Sequence, residues 1–165
     1  MKKNHLIALF TAAPIVLASF ATSAFAHSED KCGIEKAPVN IYTTEQIEHK
    51  ADTKAMLKAA LGKDYNKKVA AVSDLQLLAG SAIYNQTCAV CHGASGKGDG
   101  ASSTFFPITP ADFTDAKASQ FYSDQARIEI IKKGIPGTQM PGWGTALNDE
   151  EVAAVYGYIR SLRAE

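Results

Sequence analysis

Two cysteines and a histidine near the middle of the 165-residue chain form a C-x-x-C-H motif, Cys88-Ala-Val-Cys91-His92. This spacing places two thiols about one helical turn apart and an imidazole directly after the second thiol. Such thiols can add across the two vinyl groups of a porphyrin as thioethers, and the adjoining imidazole can then bind the iron. The motif therefore predicts one covalently bound haem c, with His92 as an axial ligand.

Other uses of the paired thiols are less well supported. A structural zinc site needs four closed ligands, and beyond the motif the chain after residue 26 offers Cys32, His27 and His49 as thiols or imidazoles. A thioredoxin-like dithiol requires a strand before the motif, whereas the preceding residues have a helical pattern. The glycine-rich run after His92 is not a phosphate loop, because position 91 is a cysteine where that motif needs glycine.

A sixth iron ligand has few candidates, because the chain after residue 26 contains two methionines and two further histidines: Met56, Met140, His27 and His49. Met140 lies in the turn-rich residues 137–142, where a rigid loop can present its thioether across the haem plane. Met140 is therefore the predicted distal ligand. We interpret Met56 as a packing residue and His49 as a surface histidine of the same helix.

Helix signals dominate after residue 26, and the alternating apolar pattern of strands is nearly absent. Caps and helical spacing predict helices over about 44–61, from Ser73 toward Cys88, over about 124–133 and from Asn148 to about Leu162. Residues 93–122 are rich in glycine and proline and predict a long loop. Its glycines suit backbone that turns tightly and passes near a flat ligand.

Residues 1–26 have the pattern of a secretory signal peptide, in which two lysines precede an apolar stretch and Ala24-Phe25-Ala26 supplies a cleavage site. We expect cleavage after Ala26 and a periplasmic location. The alternative is an uncleaved signal that anchors the protein in the membrane, facing the periplasm. Pro14 and the cleavage tripeptide argue against that alternative.

The charge balance limits the partners that the chain can have. With 17 basic and 17 acidic residues and 46% apolar residues, the chain is neutral and suited to a folded domain. It lacks the surplus of lysine and arginine that nucleic-acid binding requires, and we expect no stable membrane insertion after signal cleavage. The predicted organisation is a signal peptide at 1–26, an extension with one helix at 27–72 and the main domain at 73–165.

The main domain resembles a monohaem class I cytochrome c. The resemblance is carried by residues 88–93, 134–143, 148–152 and 158–162, which agree in order and spacing. It implies an all-α domain wrapped around a covalent haem, with an N-terminal helical extension added to it. It also implies that the first and last helices cross near Gly80, Tyr84 and Tyr158. A further implication is that a proline carbonyl, of Pro107 or Pro110, accepts a hydrogen bond from the proximal histidine.

The function implied by this resemblance is that of an exported one-electron carrier between redox partner proteins in a respiratory or oxidative pathway, and not of an enzyme. One alternative is the haem subunit of a larger oxidoreductase, in which residues 27–72 hold the catalytic partner. Another alternative is a haem enzyme or gas sensor with an open sixth position. Cys32 is left unpaired once two thiols bind haem, and we expect a free thiol there in preference to an intermolecular disulfide.

Overall fold

The computed structural model describes residues 43–163, and helices dominate this range. The helices are α1 (Thr44–Leu61), α2 (Asp74–Ile83), α3 (Ala89–His92), α4 (Ala116–Ser119), α5 (Asp124–Lys133) and α6 (Asp149–Ser161). A π-helical turn, Tyr84–Cys88, joins α2 to α3, and short 3₁₀ turns occur at Gly62–Asn66 and Ser103–Phe105. The β structure within the described range is limited to an isolated bridge between Gly134 and Pro141. The prediction of an all-α fold is confirmed.

Several predictions fall outside the described range, namely the signal peptide at residues 1–26, its cleavage site, and the state of Cys32. Between residues 43 and 163, no helix has both the length and the apolar character that a membrane crossing requires.

The helix ends follow the predicted caps closely. At the start of α1, the Thr43 hydroxyl accepts from the Gln46 backbone N–H at 3.2 Å, and the Gln46 side chain accepts from the Thr43 N–H at 3.0 Å. The same reciprocal arrangement begins α2 at Ser73 and α6 at Asn148. Each cap satisfies amide groups that have no partner inside the helix, so these short patterns fix where each helix begins.

The helix that leads into the cysteine motif contains an unpredicted π-helical turn, Tyr84–Cys88. One extra residue in a turn rotates the following residues by about 100° relative to a regular helix. Tyr84 is fully buried, and its hydroxyl donates to the carbonyl of Gly93 at 2.8 Å. It belongs to the main apolar cluster, whose buried residues are Tyr84, Phe113, Ile131, Val152, Val155, Tyr156 and Ile159. The wider turn therefore lets Tyr84 point into the core while Cys88, four residues later, lines a cavity.

Helices α2 and α6 cross at a glycine, as the resemblance implied. A Cβ atom at Gly80 would overlap the backbone carbonyl of Ala154, so the two helices approach more closely than any larger residue permits. Beside the crossing, the rings of Tyr84 and Tyr158 lie 5.2 Å apart. This close contact brings the last helix across the helix that carries the cysteines and closes the core.

Helix α1 packs onto the rest of the described chain through a second apolar cluster, formed by Leu57, Tyr65 and Ala126. A longer-range tie comes from the Gln46 side-chain amide, which donates to the carbonyl of Pro107 at 3.2 Å. The described residues, 43–163, belong to one compact unit. The predicted helix 44–61 is thus confirmed, whereas the domain boundary after residue 72 stays a prediction.

Candidate cofactor site

A cavity of about 400 Å³ lies between the cysteine motif, α1, α5 and the loop after α5. Its volume is within the range of about 300–1,000 Å³ that is usual for small-molecule and cofactor sites. The cavity is lined mostly by apolar groups. Its lining also includes the four residues that the sequence predicts to bind haem, Cys88, Cys91, His92 and Met140. The structure therefore brings all four predicted site residues around a single cavity.

The imidazole of His92 is held from two sides. Its Nδ1 lies 3.1 Å from the carbonyl oxygen of Ala111, and its ring stacks on Phe113 with 4.6 Å between ring centroids. A carbonyl only accepts hydrogen bonds, so Nδ1 carries the proton and the neutral ring has its lone pair on Nε2. Burial lowers the pKa of His92, and this pKa shift favours the neutral ring that can bind a metal.

The expectation that a proline carbonyl orients His92 is wrong, because the acceptor is the carbonyl of Ala111. Each candidate proline carbonyl faces another part of the chain. The carbonyl of Pro107 accepts from Gln46, and that of Pro110 lies against Gly98, where a Cβ atom would come within 2.5 Å of it. The residue directly after Pro110 is thus the one whose carbonyl oxygen reaches His92.

Cys88 and Cys91 are both partly buried free thiols. The Cys88 sulfur lies 3.3 Å from the Thr87 hydroxyl, which itself donates to the carbonyl of Ile83 at 2.7 Å. Burial raises the pKa of Cys88, although the contact with Thr87 lowers it in part. Redox-active dithiols have a depressed thiol pKa, so the shift at Cys88 argues against dithiol chemistry at this motif.

Met140 is half-buried and lies in a loop with a fixed backbone. Its carbonyl accepts from the Ile135 N–H at 3.1 Å, and its own N–H donates to the Thr138 hydroxyl at 3.1 Å. The loop begins at Gly134, whose positive φ of 75° favours glycine. The tight loop therefore holds the thioether-bearing residue at the cavity wall.

Two residues outside the predicted site also line the cavity, and both carry a buried nitrogen without a hydrogen-bond partner in the described part of the chain. They are His49, through Nε2, and Arg127, through Nε. The interpretation of His49 as a surface residue is wrong, because α1 turns it toward the cavity. Met56, interpreted as a packing residue, is instead 43% exposed. The apolar residues of α1 do not form one clear stripe, so its buried face depends on tertiary contacts.

The residues around the cavity fit a haem that is attached through two thioethers. Two thiols, an imidazole with a free Nε2, a thioether and an apolar lining are the groups that such a cofactor needs. The two unpartnered nitrogens at His49 and Arg127 add donors that suit an anionic group. By contrast, within residues 43–163 no three His, Cys, Asp or Glu side chains are grouped as a metal site made by protein ligands.

Comparisons with known proteins show which proteins this chain is similar to. Residues 76–159 match the family described as cytochrome c oxidase, cbb3-type, subunit III. The chain is similar to a dihydro-heme d1 dehydrogenase of Pseudomonas aeruginosa, with 36% identity over 80 residues that make up 48% of this chain and 14% of that protein. It is also similar to a structure of the Kuenenia stuttgartiensis reducing HAO-like protein complex, with a TM-score of 0.51 and 33% identity, covering 56% of this chain and 46% of the other. The chain thus spans less than half of either protein.

Proposed function

Because this chain belongs to the cytochrome c family, as the match of residues 76–159 to cytochrome c oxidase, cbb3-type, subunit III shows, we propose that it is an exported one-electron carrier with one covalently bound haem c. The family implies the haem c cofactor. The observation that supports a carrier is that Cys88, Cys91, His92 and Met140 line the same cavity, with His92 already oriented by Ala111.

Each of the four residues has a proposed role. Cys88 and Cys91 would hold the haem through thioether bonds, while His92, through Nε2, and Met140, through its sulfur, would bind the iron. The bound haem supplies a centre that gains or loses one electron. The apolar cavity wall excludes water, and both apolar burial and a methionine ligand raise the reduction potential.

The way in which His92 and Met140, the proposed iron-binding residues, are held suits electron transfer. His92 is held by Ala111 and Phe113, and the Met140 loop is held by hydrogen bonds of its own backbone. Residues that are held in the same place in both oxidation states of the iron would need little rearrangement when an electron is transferred. This arrangement favours a carrier over a haem enzyme or gas sensor, because Met140 is available to occupy the position where a small molecule would bind.

A second candidate function is that of a haem subunit within a larger oxidoreductase. The chain matches a short part of a dehydrogenase and part of a protein complex, which favours a role inside a larger redox assembly. Helix α1 lies outside the matched residues 76–159 and is available for such a role. In either case the partners are redox proteins that donate or accept the electron.

We propose a periplasmic location on the basis of the signal-peptide pattern at residues 1–26. A c-type haem in an exported protein agrees with this location. An uncleaved signal that anchors the protein at the membrane is the alternative, and the N-terminal sequence of the purified protein distinguishes the two.

The direct test is intact-mass analysis of the protein purified from its exported fraction. We expect a polypeptide that begins at His27 and carries the added mass of one haem, and a Cys88→Ala/Cys91→Ala variant without that mass. Bare wild-type polypeptide would overturn the proposal. The ferrous spectrum should stay unchanged under carbon monoxide, whereas a spectrum that changes would favour an open sixth position. Stable co-purification of a catalytic protein would favour the subunit function.

A further inference from the structure

We propose that His49 of α1 donates a hydrogen bond from Nε2 to a haem propionate, together with Arg127 of α5, so that α1 forms a wall of the haem pocket. This inference rests on the proposed haem function. It goes beyond that function because α1 (Thr44–Leu61) lies outside the residues 76–159 that match the family.

The position of His49 supports a ligand-facing role. The side chain lines the same cavity as His92 and Met140, and its Nε2 is buried without a partner in the described part of the chain. Its Cε1 would lie 3.9 Å from a Cβ atom added at Gly137, which places the imidazole beside the loop of Met140. A buried polar nitrogen without a partner is costly, and its position at a cavity wall indicates that the partner comes from the bound molecule.

Arg127 supplies an independent observation at the same cavity. Its terminal Nη2 donates to the carbonyls of Ala118 at 3.1 Å and Ser119 at 2.9 Å, which fixes the guanidinium against α4. Its Nε is nevertheless buried without a partner in the described residues. A guanidinium Nε–H can only donate a hydrogen bond and cannot bind iron, so it requires an acceptor and favours an anion.

Contacts through Tyr122 connect the two donors. The Tyr122 hydroxyl donates to the carbonyl of Lys50 at 3.2 Å, and its ring lies 5.8 Å from the guanidinium carbon of Arg127. Lys50 directly follows His49 and also lines the cavity. Burial lowers the pKa of Lys50, the positive charge of Arg127 lowers it further, and the negative charge of Asp115 raises it in part. The charges of Lys50 and Arg127 therefore lie close enough to interact.

The chemistry of the cavity indicates which anion would bind. Most of the wall is apolar, while the donors belong to α1 and α5. A ligand that matches this pattern has a large apolar ring and a carboxylate at its edge, and a porphyrin with propionates has both. The competing interpretation makes His49 a second candidate for the iron in place of Met140. The second nitrogen without a hydrogen-bond partner, Nε of Arg127, favours the carboxylate, because arginine does not bind iron.

The test compares His49→Leu with His49→Gln in the intact holoprotein. The amide of glutamine retains a donor close to the position of Nε2, whereas leucine removes it. Glu48→Leu introduces the same side chain at the adjacent, exposed position of α1 and serves as the matched control. Resonance Raman spectroscopy of the propionate bending modes reports the hydrogen bond directly, and potentiometry reports its effect on the iron.

We expect the propionate bending band to shift in His49→Leu, to return toward the wild-type position in His49→Gln, and to stay unchanged in Glu48→Leu. The reduction potential should fall in His49→Leu, because a less neutralised propionate favours the ferric iron. Unchanged propionate modes in His49→Leu would overturn the inference, as would loss of an axial ligand signal in that variant. Wild-type protein without haem would instead overturn the proposed function, so the two failures are distinguishable.

Discussion

The imidazole of His92 stacks on the phenyl ring of Phe113, with a ring-centroid distance of 4.6 Å and an angle of 23° between the ring planes. The Phe113 N–H donates to the carbonyl of Gly96 at 2.6 Å, so the stacked ring is attached to the segment that follows the histidine. Two residues earlier, Ala111 accepts the hydrogen bond from the same imidazole. The long loop therefore determines both the position and the rotation of the ring.

Replacing Phe113 should release this restraint. Phe113→Ala is expected to lower the free energy of unfolding by about 3–5 kcal/mol, because it removes a buried aromatic side chain from the main apolar cluster. It should also broaden the electron paramagnetic resonance signals of the ferric protein, since the imidazole is less restricted. Phe105→Ala is the control in the same loop, where the side chain is 81% exposed and the expected change is within about 0.5 kcal/mol. Equal losses in both variants would contradict the proposed role of the stack.

The two described methionines provide a matched test of the distal ligand. Met140→Ala should abolish the methionine-to-iron charge-transfer band of the ferric protein and lower the reduction potential, because the thioether ligand is lost. Met56→Ala should leave both unchanged, since Met56 is 43% exposed on α1 and is not among the residues that line the cavity. Visible absorption and potentiometry measure the two effects. A band that survives in Met140→Ala would refute the ligand assignment.

The helix crossing should be sensitive to a single methyl group. Gly80→Ala introduces a Cβ atom onto the backbone carbonyl of Ala154, which cannot move away as a flexible side chain can. We expect a loss near the upper end of the range of about 1–3 kcal/mol that overpacked sites show. Leu78→Ala on the same helix removes a side chain that is 70% exposed, and its cost should be within about 0.5 kcal/mol. Urea unfolding followed by circular dichroism provides the comparison, and a tolerated Gly80→Ala would argue against the close crossing.

Alkaline pH should weaken the fold through buried tyrosines. Burial, followed by the hydrogen bond to Asp124, raises the pKa of Tyr156 from 10.0 to about 12. The folded state then holds the phenol proton more tightly than the unfolded state. The stabilisation is complete below about pH 10 and is lost as the pH rises through about 12.

Tyr156→Phe tests this dependence, since phenylalanine does not titrate. Between pH 10 and 12, the free energy of unfolding should fall less steeply in the variant than in the wild type. Part of the pH dependence should remain, because burial also raises the pKa of Tyr84. At pH 7 the variant should be about 1–3 kcal/mol less stable, because it lacks the hydrogen bond to the carboxylate of Asp124. Urea unfolding at several pH values measures both effects. The same dependence of unfolding free energy on pH in both proteins would exclude Tyr156 as a source of the alkaline destabilisation.

The sequence predicted α1, α2, α5 and α6 because the starts of these helices depend on local interactions. It did not predict α4 (Ala116–Ser119), which lies within residues 93–122, the predicted loop. The reciprocal cap of Thr43 with Gln46 needs four consecutive residues, and the structure places the start of α1 where that pattern predicts it. The grouping of the cysteine motif with Met140 also followed from residue types. A haem needs these ligands, and few other residues could provide them.

Features that depend on tertiary contacts were not predictable in this way. The acceptor for His92 is chosen by the path of a loop without periodicity, so a pattern of prolines does not identify Ala111. The π-helical turn at Tyr84 reflects the burial of that ring against other parts of the chain. Similarly, the direction of His49 depends on which face of α1 meets α5, and the sequence of α1 has no dominant apolar stripe.

The two helices that meet at Gly80 are made at very different times, since α2 begins at Asp74 and α6 ends at Ser161. A growing chain emerges from its N-terminal side, so the segment that carries both thiols is made before its packing partner is complete. The contact at Gly80 therefore joins segments that are far apart in sequence, and it forms late in the folding of this chain.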